Sequence, residues 1–456
     1  MTTSRPLAAA LICAGAVIHL TAVAATAQTG RPAIARPAAS PLDTMHARLD
    51  KAAESVMPKV VALRRDLHEH PELGNRETRT STLLAEKLRA LGYEVKTGVA
   101  KTGVVGVLRG GKPGPVVALR SDMDALPVTE ETGLPFASKA RAQFNGKDVG
   151  VMHACGHDFH MSMLMGAAEV LAGMKADLAG TVVIIYQPAE EGAPVGEEGG
   201  AELMVKEGVL DNPPVNAIFG LHVGINALES GSISFRPRGL MAASDTFEIV
   251  VHGRSTHGAL PWAGVDPIVV ASQIVLGLQT IISRQSDLTT APAVLTVGTI
   301  DGGTRFNIVP DSARLTGTIR TFDPGMQTRI HDNVKRTAEH IAAAAGATAD
   351  VRIEIGNPVT WNDASLSERM TPSLKRVAVG TFDPNASATT TAEDFSAYQK
   401  KVPGLFFFLG VAPKGTNPAT WPTNHSSKFS PDESALLTGV RALASVAVDY
   451  LAGAGR

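Results

Sequence analysis

Cysteine is nearly missing from this chain: its 456 residues include only Cys13 and Cys155. If Cys13 leaves with an N-terminal signal, Cys155 has no intrachain partner, which excludes a disulfide scaffold. Basic runs are also missing. The balance of 42 Lys+Arg against 44 Asp+Glu gives a formal net charge of −2. That leaves no electrostatic footprint for nucleic acid or for an anionic membrane surface. Internal repeats are lacking, and beyond the N-terminus no apolar stretch reads as long enough to span a bilayer. The 44% hydrophobic and 19% charged residues are a globular composition, and the length favours two domains over one.

The first residues, MTTSRPLAAALICAGAVIHLTAVAATAQ, carry one positive charge at Arg5 and then a long Ala/Leu/Ile/Val stretch. Ala25, Thr26 and Ala27 offer the small residues of a cleavage site, so residues 1–27 are expected to be a secretory signal. The competing reading is an uncleaved anchor. Residues 28–43, rich in Pro and Ala, read as a disordered lead-in. The mature protein is then expected to be exported, periplasmic or secreted, with no membrane contact after signal removal.

Along the rest of the chain, helical periodicity in 44–92 gives way to short apolar runs: VVGVL, PVVALR, TVVIIY and AIFGLHV. Helical segments such as MSMLMGAAEVLAGM separate several of them. That alternation predicts an α/β domain with a mostly parallel sheet and helices on both faces. From about Ser244 the pattern becomes strand–helix–strand–strand–helix–strand, the order of a small α+β sandwich. The α/β texture returns with GLFFFLGV. The expected organisation is therefore an α/β domain over 44–239 and 357–456, interrupted by an inserted domain over 240–356.

The polar clusters share one address. Asp122 and Asp124 follow PVVALR, Glu190 and Glu191 follow TVVIIY, His222 ends AIFGLHV, and His425 lies in a loop after GLFFFLGV. Ligands of open parallel sheets bind at the C-terminal strand ends. In VMHACGHDFH, Cys155 and His157 flank a glycine that allows a tight turn, so thiolate and imidazole can face one centre. His153 and His160 read better as supporting or packing residues. In QPAEEG, one carboxylate can ligate a metal while its neighbour serves as general base. Taken singly, each has a blander reading: an inert buried thiol, a solvated acidic turn, a core histidine. Together they exceed what one tetrahedral ion needs and suit two ions about 3.5–4 Å apart that share a water.

The motifs RRDLHEHPELGNRE, RSDMDALP, MHACGHDFH, QPAEEG, GLHV, GRSTHGALP, GGTRFNIVPD, GTIRTFD, AEDFS and HSSKF occur in order from about residue 60 to 435. With them the chain resembles the binuclear metallo-amidohydrolases that include hippurate hydrolase, N-acyl-L-amino-acid amidohydrolases and indole-acetyl-amino-acid hydrolases. The resemblance implies Cys155, His157, Glu191, His222 and His425 as ligands of two divalent ions (Zn, Mn, Co or Ni), with Cys155 bridging. It implies Glu190 as general base and later proton donor to the amine, the attacking group being a metal-bound hydroxide. Asp124 would orient a ligand, His257 would stabilise the oxyanion, and Asn307 and Arg320 would contact substrate. The insert would be a lid and dimerisation domain, making the protein a homodimer. Wider relatives carry HxDxVP where this chain has DMDALP, and an aspartate where Cys155 stands. This places the chain in a cysteine-containing branch and argues against Asp122 as a direct ligand.

The expected activity is hydrolysis of N-acyl or N-aroyl amino acids. The alternatives are a metallo-carboxypeptidase or dipeptidase acting on small peptides, a non-catalytic metal-dependent binding protein, a structural zinc protein, and an enzyme using Cys155 as nucleophile.

Overall fold

The computed structural model describes residues 40–224 and 228–453. The expected signal, and most of the lead-in, lie outside them. Helix α1 (Pro41–Glu69) begins at its own proline, inside the stretch read as a lead-in to residue 43. Proline is at home in the first helical turn, where its missing N–H costs nothing.

The chain continues through α2 (Thr78–Ala90), β1 (Glu94–Val99), β2 (Gly103–Arg109), β3 (Lys112–Asp122), α3 (His157–Gly173), β4 (Ala179–Gln187), β5 (Ala217–Val223) and β6 (Ile233–Ser234). The inserted segment supplies β7 (Ala243–His252), β8 (Thr256–His257), α4 (Pro267–Gln285), β9 (Ala293–Gly302), β10 (Ile308–Val309), β11 (Ser312–Thr321), α5 (Pro324–Ala344) and β12 (Thr348–Ile355). The return brings β13 (Phe382–Asp383), β14 (Gly404–Leu409) and α6 (Ala435–Leu451).

The large sheet has eight strands in the order β1-β2-β4-β3-β5-β14-β6-β13. Its centre, β4-β3-β5-β14, is parallel throughout. Antiparallel neighbours at β2 and β6 make the whole sheet mixed. The central strands are buried on both faces, and the side chains alternate between two cores. Val117, Leu119, Val182, Ile184, Phe219, Leu221, Leu405 and Phe407 face α1, α3 and α6. Ala118, Val183, Ile185, Ile218, Phe406 and Phe408 face the opposite layer. This explains why these strands read as continuous apolar runs. Because the four central strands run the same way, Asp122, Gln187, Val223 and Leu409 end at one edge.

Residues 243–355 build a separate four-stranded sheet, β9-β11-β7-β12, with its own core. Phe247, Ile249, Val251, Leu315 and Ile319 pack against Val270, Ile274 and Leu278 of α4 and Ile330 and Val334 of α5. The other face carries Thr246, Glu248, Arg314, Thr316, Arg352 and Glu354 around an open groove. Helix α4 has the length and mean hydropathy, 1.3, of a membrane span. The sequence reading had not counted it as one, and in the fold its buried stripe packs on this sheet.

A buried charged group ties α1 to α3. His68 places Nδ1 2.8 Å from Asp158 and Nε2 3.1 Å from Glu130. Arg64 lies 3.0 Å from the same Asp158 oxygen. Burial disfavours a charge on His68, but the carboxylates outweigh it and lift the pKa to about 9. A raised folded-state pKa contributes stability that is complete below the unfolded value, about 6.5, and is lost as pH rises through about 9. Urea unfolding at pH 6.5 and 9.5 is expected to show a drop on the order of 2–3 kcal/mol from this group. The drop should be missing from His68→Gln, which cannot carry the charge; an equal drop in that variant would assign the loss to other groups.

Candidate metal centre

The turn before α3 delivers a thiol and an imidazole to one point. Gly156 adopts φ +92°, and a Cβ there would lie 2.5 Å from Val223 Cγ2. Only glycine fits both the left-handed backbone and the close approach. Helix α3 starts at His157. The His157 ring donates from Nδ1 to the Asp124 carbonyl at 2.7 Å, with Asp124 Oδ1 3.4 Å away. Its Nε2 points away from that bond and is buried without a hydrogen-bond partner, so on losing its proton it can offer a lone pair to a cation.

His222 shows the same polarity. Nδ1 donates to the Val223 carbonyl at 2.9 Å, leaving Nε2 3.3 Å from Cys155 Sγ. His425 sits at φ +69°, its amide donating to the Ala154 carbonyl at 2.8 Å. That conformation brings its Nε2 to 3.3 Å from Cys155 Sγ and 3.1 Å from Glu191 Oε1. The carboxylates arrive on the turn after β4, where Ala189 has φ +51°. The Glu191 amide donates to Asp124 Oδ2 at 3.0 Å, and Glu190 Oε2 lies 3.8 Å from His157 Nε2.

These donors sort into two triads that share one sulfur: Cys155, His157 and His222, and Cys155, Glu191 and His425, with the donor atoms of each within 4.8 Å of one another. Glu190 joins His157 and Glu191 in a third group. The residues fit a pair of divalent cations. Three imidazole nitrogens, a sulfur and a carboxylate converge, and at His157 and His222 the tautomer leaves Nε2 free to ligate. The electrostatics agree. Burial alone would lower the His157 pKa, yet Asp122 and Asp124 raise it to about 10, so positive charge is favoured at this ring. A metal cation satisfies the same preference. Burial, with Glu191 and Glu190 adding to it, pushes the Cys155 thiol up, so its thiolate needs a cation beside it. Burial and His160 push the His222 pKa down, keeping that ring neutral as a ligand must be. Burial and Glu393 push the Glu190 carboxyl well above the ordinary range.

The residues expected from the sequence divide in two. Cys155, His157, Glu190, Glu191, His222 and His425 converge, and Asp124 supports both His157 and Glu191. His257, Asn307 and Arg320 lie on the inserted sheets instead. His257 is exposed on β8, its Nδ1 accepting the Ala259 amide at 3.0 Å. Asn307 accepts the Gly258 amide at 2.8 Å, so these two are neighbours. Arg320 donates to the Ile319 carbonyl at 3.1 Å and to the Thr318 hydroxyl. Among the described residues, none of the three belongs to the ligand groups around Cys155. Asp122 is already engaged, by Arg120 at 2.9 Å and by His160 Nδ1 at 2.7 Å. His160 in turn accepts the Val223 amide at 2.9 Å, a supporting role, while His153 is buried with both ring nitrogens unpaired.

Sequence reasoning missed Arg120, Gln187, Glu393 and Asp394. Arg120 Nη2 reaches Asp394 at 2.9 Å and Glu393 at 3.0 Å, and Nε donates to Gln187 at 2.8 Å. The available signal was a lone arginine at the end of the apolar run VVALR and the paired acids in AEDFS. A cavity of about 520 Å³ opens beside Glu190 and Glu191, bounded by Gly192, Asn357, Lys400 and Lys401. This is the size of a small-molecule site.

Comparison with known proteins gives the same picture. The family model described as peptidase family M20/M25/M40 matches residues 118–449. Thermostable carboxypeptidase 1 of Saccharolobus solfataricus is 40% identical over 86% of this chain and 95% of its own length. N-acetyl-L-cysteine deacetylase of Bacillus subtilis is 36% identical over 83% of this chain and 85% of its own. The crystal structure of a dinuclear metal binding peptidase of the M20 family from Bacillus subtilis superposes with a TM-score of 0.74 at 36% identity, covering 88% of this chain and 99% of that one. The chain therefore belongs to peptidase family M20/M25/M40 and is a metal-dependent hydrolase of amides or peptides.

Proposed function

We propose that the protein is an exported amidohydrolase that cleaves the amide of N-acyl and N-aroyl amino acids, working as a homodimer. The observation that carries the reaction type is Glu190. It is a buried carboxyl beside the two cysteine-sharing triads, and among the described residues it makes no hydrogen bond. A binding protein needs no such group, whereas hydrolysis needs a base that can later act as an acid.

Two divalent ions held by Cys155, His157, Glu191, His222 and His425 would supply Lewis acidity at the carbonyl and acidify the attacking water; the mixed sulfur, nitrogen and oxygen donors suit Zn, Mn, Co or Ni. Glu190 removes the proton from that water and delivers it to the leaving nitrogen. Asp124 keeps the geometry, fixing the His157 ring through its carbonyl and the Glu191 amide through its carboxylate. His257 and Asn307, adjacent in the insert, donate to the developing oxyanion when that segment closes or when a second copy supplies it. Arg320 pairs with the substrate carboxylate. The cavity accepts a small molecule rather than a folded protein. Export rests on the N-terminal apolar segment. A second reading, a carboxypeptidase or dipeptidase acting on small peptides, is favoured by the 40% identity to a thermostable carboxypeptidase.

The test is metal content together with turnover on a panel of N-acyl amino acids and dipeptides, before and after chelation. About two ions per chain are expected. Chelation should abolish cleavage, added divalent ion should restore it, and N-acyl amino acids should be turned over faster than dipeptides. Faster dipeptide cleavage selects the second reading, and no metal with no recovery overturns both. Glu190→Gln is expected to lower kcat by at least ~10²-fold with metal content near normal. Glu191→Gln should lose metal. The opposite pattern would show that the two glutamates exchange roles.

A further inference from the structure

The motif HPELGNRE ends in Glu77, which the chemistry above does not use. Its carboxyl is 0% exposed. It stands at the N-cap of α2 yet makes no capping hydrogen bond to that helix. Glu72 does so instead, accepting the amides of Arg79 and Thr80 at 3.1 and 2.8 Å. The adjacent Arg76 turns away to Glu197 at 2.6 Å. Glu77 reaches the turn after β4: Oε1 accepts the Ala189 amide at 2.9 Å and Oε2 accepts the Thr102 hydroxyl at 2.6 Å. A buried carboxyl costs free energy, and the two hydrogen bonds keep the Ala189 amide and the Thr102 hydroxyl from being buried unpaired. Helix capping does not account for its place.

The turn does account for it. Residues 187–192 must send two consecutive carboxylates in different directions. They do so through Ala189 at φ +51°, a conformation that residues with a Cβ avoid. Any relaxation of that φ swings Glu190 and Glu191 together. The turn is pinned at both ends: Ala189 N–H by Glu77, and Glu191 N–H by Asp124 at 3.0 Å. The loop bearing Glu77 also packs directly on it. A Cβ on Gly74 would lie 3.0 Å from the Gly192 carbonyl oxygen and 3.2 Å from Ala189 Cα. The same loop accepts the Ala125 amide on the Glu72 carbonyl at 2.8 Å, so it braces the Asp124 segment as well.

We propose that Glu77 is a positioning residue for Glu190 and Glu191, acting through the Ala189 amide. This inference rests on the roles given to those two glutamates above. Two variants separate hydrogen bond from charge. Glu77→Gln keeps an acceptor oxygen in place without the charge. Glu77→Asp keeps the charge but withdraws the oxygen by one methylene. Neither opens a large hole. The measurements are metal affinity of the full chain by chelator competition, kcat and KM with saturating divalent ion, and urea unfolding.

Glu77→Asp is expected to lose ~10–100-fold in metal affinity or kcat, with KM within ~3-fold and unfolding nearly unchanged, while Glu77→Gln stays within ~3-fold of wild type throughout. Wild-type behaviour of Glu77→Asp overturns the inference, as does equal damage in both variants. Wild-type protein that binds no divalent ion overturns the hydrolase reading and this inference with it. Metal-binding wild type with silent variants overturns this inference alone.

Discussion

The site depends on how one buried guanidinium is shared. Arg120 is 0% exposed in its side chain and lies within 3.0 Å of carboxylate oxygens on Asp122, Glu393 and Asp394. Several acids cannot be buried together unless cations and hydrogen bonds offset them. Arg120 offsets part of that charge. The rest shows as raised carboxyl pKa values: burial lifts Glu393 to about 8 even against Arg120, and burial with Arg120 opposing leaves Asp394 at about 6. On the other side of Asp122 the His157 imidazole and the hydrogen bond from His160 Nδ1 help hold its carboxyl well below the usual range. A region with such an excess of donors is built to receive cations.

The backbone explains why those donors meet. Four parallel strands put Asp122, Gln187, Val223 and Leu409 at one edge. Beside the candidate ligands the loops beyond that edge bend through left-handed residues: Gly156 at φ +92°, Ala189 at +51° and His425 at +69°. These bends turn Cys155, Glu191 and His425 inward. They hold because the amides beside them are bonded across loops, His425 to Ala154, Glu191 to Asp124 and Ala189 to Glu77. Strained backbone of this kind persists only where the surroundings over-determine it. The Cys155 sulfur is common to both triads, which makes a pair of cations the natural occupant rather than one.

The inserted segment contributes differently. Its four-stranded sheet has a core of its own, and the segment carries His257, Asn307 and Arg320 apart from the strand-end loops that bear the candidate ligands.

The sequence by itself determined the fold class, because strands covered on both faces must read as unbroken apolar runs and α/β alternation follows from their crossovers. Its motifs also nominate Cys155, His157, Glu191, His222 and His425 as candidate ligands, through residue type and the family resemblance. Tertiary structure decided what no local pattern carries. It showed that Arg120, Glu393 and Asp394 form one charge network across segments 274 residues apart. It showed that Asp122 is already spent on Arg120 and His160, and that Glu77 braces a turn 112 residues away. Ligand chemistry is a property of residue type, and so is written in the chain. A hydrogen bond to a distant backbone amide has no residue-type signature, because every residue but proline offers the same N–H.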